Sequence, residues 1–369
     1  MIITRTPYRI SFFGGGTDYP GWYRQHGGAV LSTSIDKYCY ITCRYLPPFF
    51  DYRYRVVYSK IENVSRIDDV IHPAVREGLR FMNQERGLEI HHDGDLPARS
   101  GMGSSSSFMV GLLHTLHALN GAMPSKKQLA LESIDIEQNM IKENVGSQDQ
   151  VAAAYGGFNH IVFHESGEIT VRPVTLAPER FTELNNHLML FYTGIKRTAS
   201  DVAASYINNL DDKKRQLRIM KDLVDESIKV LLNRHPIADF GALLNEAWSV
   251  KRSYSSSVSN SEVETVYAKA QAAGALGGKL LGAGGGGFML LFVPPEKQAD
   301  VANVLNGLIR VPFTFEHSGS QIIFFEPEKN HDNIEAQRIG KVLQPFHELG
   351  DAITPFDPSP SFPSAFAAS

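Results

Sequence analysis

The segment Leu96-Pro97-Ala98-Arg99-Ser100-Gly101-Met102-Gly103-Ser104-Ser105-Ser106-Ser107 decides how the rest of the chain is read. Two glycines bracket a turn. Four serines follow, and after them Phe108, Met109, Leu112, Leu113 and Leu116 recur at helical spacing. This is a loop feeding the N-terminus of a buried helix. The first N–H groups of a helix lack intrahelical partners and its dipole is positive there, so such a loop suits phosphate. Glycine lets backbone approach an anion closely, and serine hydroxyls bind phosphate oxygens or a hard cation. A cap needs one serine, not four, which favours phosphate over capping alone. No Gly-x-x-x-x-Gly-Lys-Ser/Thr loop occurs in the chain, and Ser106 stands where a dinucleotide fingerprint has its third glycine.

Strands flank this loop on the N-terminal side, at Ala29–Ile35, Tyr38–Tyr45 and Tyr54–Tyr58, where β-branched and aromatic residues concentrate. A helix opens at Pro73 and closes before Gly87, and another runs from a capping box at Ser125-Lys126-Lys127-Gln128 to about Glu143. Strands are predicted at 158–163, 169–174 and 187–192, and helices over most of 198–248. Ser261-Glu262-Val263-Glu264 reads as a second capping box. Lys279–Leu281, Gly282–Gly287 and Phe288–Val293 read as strand, glycine turn, strand, with further strands at 311–315 and 321–326. The chain of 369 residues suits two domains at roughly 150 residues each, divided near 180. From residue 328 a polar, then Pro/Ser/Ala-rich tail follows.

Composition narrows the function. Lys+Arg is 36 against Asp+Glu 40, a near-balance that argues against a dedicated nucleic-acid binder. Two cysteines cannot build a disulfide framework, and a reducing compartment follows as the default. The start Met-Ile-Ile-Thr-Arg-Thr-Pro lacks a secretory pattern, and the longest apolar stretch, Phe288 to Val293, is too short to span a bilayer. A cytoplasmic protein with no membrane partner is expected; a homo-oligomer is compatible with the sequence.

Several polar residues have two readings. Glu137 falls on the apolar stripe of its helix with Ala130, Ile134 and Ile141, where a carboxylate is costly unless paired or bound to a cation. A salt bridge and a Mg²⁺ ligand both answer that cost. Asp149, in Gly146-Ser147-Gln148-Asp149-Gln150, reads as a helix N-cap on local pattern alone. Asp18, after Gly14-Gly15-Gly16, reads as a turn former. Arg9 carries no signal by itself. Gly282–Gly287, with Gly285 at its centre, is either a hairpin turn or a backbone wall beside a ligand. Lys196-Arg197, after a strand end, is a solvated turn or a grip for an anionic substrate. The histidines show no metal-ligand spacing.

Three segments together resemble the GHMP kinases, the family of galactokinase, homoserine, mevalonate and phosphomevalonate kinases. Pro7-Tyr8-Arg9-Ile10-Ser11-Phe12-Phe13-Gly14-Gly15-Gly16-Thr17-Asp18-Tyr19 is similar to its first motif, Pro97–Ser107 to its phosphate loop, and Lys279–Gly287 to its third, glycine-rich motif. Within the family, the first motif, with Ile35–Thr42 and Tyr192–Ser200, resembles the kinases that phosphorylate the anomeric hydroxyl of D-glycero-D-manno-heptose 7-phosphate. Galactokinases have a Glu-His pair where this chain has Gly15-Gly16, which empties space beside the sugar.

The resemblance implies an α+β protein of GHMP kinase fold. An N-terminal α/β domain with the phosphate loop (1–180) joins a C-terminal ferredoxin-like domain (181–327) and a tail (328–369). It implies ATP and Mg²⁺ as cofactors and a small-molecule sugar phosphate as substrate. Pro97, Gly101, Gly103 and Ser104–Ser107 would bind nucleotide, and Ser105 and Glu137 would hold Mg²⁺. Asp149 would take the hydroxyl proton, with Arg9 beside the transferred phosphoryl group. Asp18, Gly14–Gly16 and Gly285 would face the sugar, and Lys196, Arg197 or Arg99 its phosphate. Two alternatives stand beside this: another anomeric sugar kinase of the family, such as a fucokinase, and a nucleotide-binding oxidoreductase.

Overall fold

A computed structural model describes residues 1–195, 213–232 and 235–327, with isolated positions at 334, 336 and 337. In chain order the first unit holds β1 (Ile2–Phe13), α1 (Pro20–His26), β2 (Gly28–Tyr45), β3 (Tyr54–Val57), β4 (Ile61–Val64), α2 (Pro73–Phe81), β5 (Leu88–Gly94), α3 (Ser104–Leu119), α4 (Lys126–Asp135), α5 (Gln148–Tyr155), β6 (Phe158–Phe163), β7 (Ile169–Pro173) and α6 (Pro178–Asn186). The second holds β8 (Leu188–Tyr192), α7 (Lys214–Leu232), α8 (Ala238–Arg252), α9 (Ser261–Ala272), β9 (Gly277–Leu280), β10 (Phe288–Phe292), α10 (Gln298–Val304) and β11 (Ile309–Val311). The chain then returns through β12 (Phe315–Glu316) and β13 (Gln321–Phe325).

The first sheet runs β13-β1-β2-β5-β3-β4, with β6 and β12 also on β2 and β7 on β6. The two expected strands on either side of Asp36 are one strand of 18 residues. Its two halves have different neighbours on one flank, residues 28–33 pairing with β6 and 39–45 with β5. Proline is rare in a central strand because it cannot donate to the ladder. Pro7 is accommodated where the β1–β2 register slips, Pro7 facing Tyr38 and Arg9 facing Ser34. The slip re-aims the chain at Arg9. The Arg9 N–H then donates to Met102 O of the phosphate loop at 3.1 Å.

α3 lies against β1 and β2, buried along nearly all of its length. Gly111 permits this contact, because a Cβ there would be 2.9 Å from Thr6 Oγ1. α2 ends at Phe81 instead of continuing toward Gly87, and Asn83 takes a left-handed φ of 48° just beyond. α9 is capped by Asn260, whose side chain accepts from the N–H of Glu262 and Val263; the expected cap, Ser261, is the first helical residue. The α4 cap is as expected, Ser125 Oγ accepting from Gln128 N at 3.1 Å.

β8, β9, β10 and β11 form a separate antiparallel sheet in the order β11-β8-β10-β9. Numbered within the unit this is 4-1-3-2 with helices between, the ferredoxin-like arrangement expected. A cut near 180 passes through α6. It assigns β12 and β13 to the second unit, whereas their hydrogen bonds run to β2 and β1 in the first sheet. No helix among the described residues is long and apolar enough to cross a membrane.

Candidate active site

The loop before α3 shapes one wall of a cavity that the first motif, the α4–α5 connection, α8 and the third motif complete. Gly103 is the N-cap of α3, with φ of 75°, and no side chain caps the helix. None of the four serines is therefore used as an N-cap, and the helix N-terminus opens on the cavity. Gly101 must be glycine: φ is 83°, and a Cβ would lie 2.6 Å from Leu281 O of the second unit. Ser104, Ser105 and Ser106 line the cavity. Ser107 does not; its buried hydroxyl donates to Pro7 O at 2.9 Å, fastening α3 to β1. Pro97 is exposed at the start of the loop, its carbonyl accepting from Ser100 Oγ at 2.6 Å.

Glu137 reaches this helix from α4. The helix does not run straight on to Glu143 but opens into a π turn, Ile136–Met140, with Ile141 N bonding to Ile136 O. Such turns recur at functional sites because they shift which side chains face inward. Here Ile136 and Glu137 are both buried, while Ile134 and Ile141 are only partly so. The Glu137 carboxylate is 1% exposed. It accepts from Ser105 Oγ (3.1 Å), Ser106 Oγ (2.8 Å) and Gln150 Nε2. No cationic side chain pairs with it among the described residues, so the salt-bridge reading fails. Burial pushes its pKa up to about 7, against the opposing pull of the Ser106 and Gln150 hydrogen bonds.

Asp149 is no N-cap either; it lies in the first turn of α5, and Ser147 precedes the helix. Its carboxylate meets Arg9 in a two-pronged contact, Nε to Oδ1 and Nη2 to Oδ2, both 2.7 Å. Arg9 Nη1 donates to Gly101 O at 2.7 Å, so one guanidinium ties the acid to the phosphate loop. Asp18 does form a turn, accepting from Gly16 N at 3.0 Å, but it also accepts from Gln148 N at 3.3 Å and is 1% exposed. Burial, then the charge of Asp149, pushes Asp18 up to about 6.

The glycines divide. Gly15 and Gly16 line the cavity, and a Cβ at Gly15 would meet nothing nearer than Gln148 Nε2 at 4.0 Å. Gly14 instead serves the turn, since a Cβ there would be 1.9 Å from Ala29 O. Gly282 and Ala283 line the cavity. Gly285 is not among the lining residues; its N–H donates to Val258 O and its carbonyl accepts from the Asn260 side chain. Arg99 lines the cavity with φ of 60°. Lys196 and Arg197 lie outside the described residues.

Two lysines enter the cavity that sequence reasoning did not single out as functional. Lys251 of α8 and Lys279 of β9 are 7% and 3% exposed. The signal was the one that flagged Glu137: Lys251 follows Phe240, Leu244, Ala247 and Trp248 on one apolar stripe, and Lys279 falls within a wholly buried strand.

Comparison with known proteins follows this geometry. The GHMP kinases N-terminal domain model matches residues 69–157 and the GHMP kinases C-terminal model residues 228–309. The D-glycero-alpha-D-manno-heptose 7-phosphate kinase of Campylobacter jejuni is 31% identical over 321 residues, covering 82% of this chain and 93% of that protein. The chain belongs to the GHMP kinases. The galactokinase of Pyrococcus furiosus is 25% identical, covering 82% of this chain and 92% of its own. Among solved structures, a D-glycero-D-manno-heptose 1-phosphate kinase from Bacteroides thetaiotaomicron superposes with a TM-score of 0.73 at 22% identity, over 88% of this chain and all of that one. As a GHMP sugar kinase the protein is an ATP-dependent phosphotransferase acting on a small-molecule sugar, and the oxidoreductase alternative falls away.

Proposed function

We propose that this kinase transfers the γ-phosphoryl group of ATP to the C1 hydroxyl of D-glycero-D-manno-heptose 7-phosphate, giving the 1,7-bisphosphate, in the cytoplasm. The observation that carries the reading is the convergence of the α3 N-terminus, the Arg9–Asp149 pair and the open space at Gly15 on one cavity. The space left by Gly15 suits an acceptor larger than a hexose. The near full-length likeness to a heptose 7-phosphate kinase supports the same acceptor.

The chemistry follows from position. Phosphoryl transfer passes through a loose transition state, so placement and charge neutralisation supply most of the rate. Asp149 takes the C1 hydroxyl proton on an oxygen held in place by Arg9, a contribution of about 10²–10⁴-fold. The bond from the new nucleophile oxygen to phosphorus forms as the bond to the bridging oxygen breaks, and that electron pair leaves on ADP. Arg9, anchored to Gly101 O, keeps acceptor and phosphate loop in register. Asp18 hydrogen-bonds sugar hydroxyls. Glu137 and Ser105 fit Mg²⁺: an unpaired buried carboxylate and a hydroxyl are hard oxygen donors, and this cation is commonly held by one carboxylate plus substrate phosphates. When bound, Mg²⁺ neutralises charge on the nucleotide phosphates.

The test is an ATP-consumption screen over heptose 7-phosphate, free heptose, galactose and fucose, with the new phosphate located by phosphorus NMR. Preference for the phosphorylated heptose with ester formation at C1 is expected. Preference for a free sugar, as an anomeric kinase of fucokinase type would show, overturns the acceptor.

A further inference from the structure

Lys251 and Lys279 are buried cationic side chains of the cavity that the chemistry above does not use. Among the described residues neither has a carboxylate within ion-pair reach. Lys279 Nζ donates to Phe12 O at 2.8 Å, and Lys251 Nζ donates to Leu280 O at 3.0 Å and to Gly282 O. An ammonium carries three N–H groups, so two on Lys279 and one on Lys251 remain for something else. Both side chains line the cavity. Ser11, two residues from Arg9 on β1 and next to Phe12, lines the same cavity, and its buried Oγ has no hydrogen-bond partner among the described residues. Burying two uncompensated ammonium groups is costly, and an anion is what repays it. Burial, then the charge of Arg9, brings Lys279 down to about 7, and burial, then the charges of Lys279 and Arg9, holds Lys251 well below its ordinary value.

The contacts locate the two lysines relative to the phosphate loop. Gly282, whose carbonyl Lys251 holds, packs on Gly101, a Cβ on it falling 2.5 Å from Gly101 Cα. Gly101 O accepts from Arg9, and Arg9 grips Asp149. Lys279 is bonded to the residue next to Ser11. The lysines thus cluster around Arg9 and the phosphate loop, where donor and acceptor meet in the function proposed above.

We infer that Lys251 and Lys279, with the Ser11 hydroxyl, form a cationic floor for the oxygens of the phosphoryl group as it passes from nucleotide to acceptor. The lysines exchange no atoms; they donate hydrogen bonds to charge that the cavity otherwise leaves unbalanced. The inference rests on phosphoryl transfer and is independent of which sugar accepts.

The test compares Lys251→Met, Lys279→Met and Ser11→Ala with wild type. Dissociation constants for ATP and for ADP are measured without acceptor, and kcat and KM are measured with heptose 7-phosphate and with free heptose. The lysine variants are expected to bind ADP as wild type does, to bind ATP about 10-fold more weakly, and to lose about 10²-fold or more in kcat with either acceptor. Ser11→Ala is expected to change the same quantities by about 3- to 10-fold. Thermal unfolding without nucleotide should be unchanged or raised, because a buried ammonium has been removed. Two results overturn the inference. One is an increase confined to KM for the phosphorylated sugar, which assigns the lysines to the acceptor's own phosphate. The other is an unchanged ATP-to-ADP affinity ratio with unchanged kcat. If the lysine variants do not fold, an unaltered ratio in Ser11→Ala alone overturns it. Failure of the heptose assignment would appear separately, as turnover of another sugar by wild type.

Discussion

Replacing Glu137 by Gln removes a carboxylate that folding places in an apolar interior, and its effect is calculable. Burial moves the pKa from 4.5 to about 7. Below 4.5 the group is protonated in folded and unfolded chains alike and nothing is lost. As pH rises from 4.5 through about 7, the unfolded chain ionises first and the native state loses ground. At about 1.4 kcal/mol per pH unit, that gap costs the ionised native protein about 3 kcal/mol. Gln is nearly isosteric, so it removes the cost while leaving the packing intact. Its amide also finds partners: Oε1 accepts from Ser105 Oγ, and the NH₂ group that takes the place of Oε2 donates to Ser106 Oγ and to Gln150 Oε1, which has no partner among the described residues and is brought round by a turn of that amide. Thermal unfolding of both proteins, free of nucleotide and metal, should therefore give similar midpoints at pH 4.5. At pH 8 the variant should be higher by about 6 °C, taking about 2 °C per kcal/mol for a protein of this size. The same variant should need far more Mg²⁺ for half-maximal turnover. A difference in midpoint that stays constant from pH 4.5 to 8, or one that favours wild type at pH 8, refutes the account of Glu137 as an uncompensated buried acid awaiting a cation.

Asp149→Asn keeps the size of the group gripping Arg9 but not its basicity, so kcat should fall about 10²- to 10⁴-fold with little change in nucleotide affinity; near-normal turnover removes Asp149 as the base. Ser105→Ala should raise the Mg²⁺–nucleotide KM at an unchanged melting temperature. Ser107→Ala should do the reverse, costing about 1 kcal/mol through the lost bond to Pro7 while leaving KM alone, as a denaturant titration beside steady-state kinetics will read. Gly103→Ala places a Cβ 3.2 Å from Arg9 Cγ at a φ of 75°, so kcat should drop more than 10-fold for about 1–2 kcal/mol of stability. Asp18→Asn should raise the acceptor KM at pH 7.5 and leave the ATP KM within twofold; equal effects on both would place Asp18 in the general architecture of the cavity.

Much of the molecule was legible in the linear chain. The glycine–serine loop and the apolar stripe after it announce a helix N-terminus built for an anion, because backbone geometry and periodicity are local properties. A carboxylate on an apolar stripe announced that Glu137 had a task. What the chain could not announce was convergence. Asp149 on local pattern is a cap, Asp18 a turn former and Arg9 nothing at all; only the slip in β1 around Pro7 and the placement of α5 bring Arg9 and Asp149 within 2.7 Å. The same holds for roles that fell away. Ser107 turned toward β1, and Gly14 serves its own turn, because a helix or turn face is chosen by what packs against it. The return of β12 and β13 to the first sheet, and the bond from Lys279 to Phe12, join residues more than 200 positions apart. Sequence fixes which groups are available and what each is worth when buried; the tertiary fold alone sets which of them share a cavity, because charge interactions depend on distances that spacing along the chain does not encode.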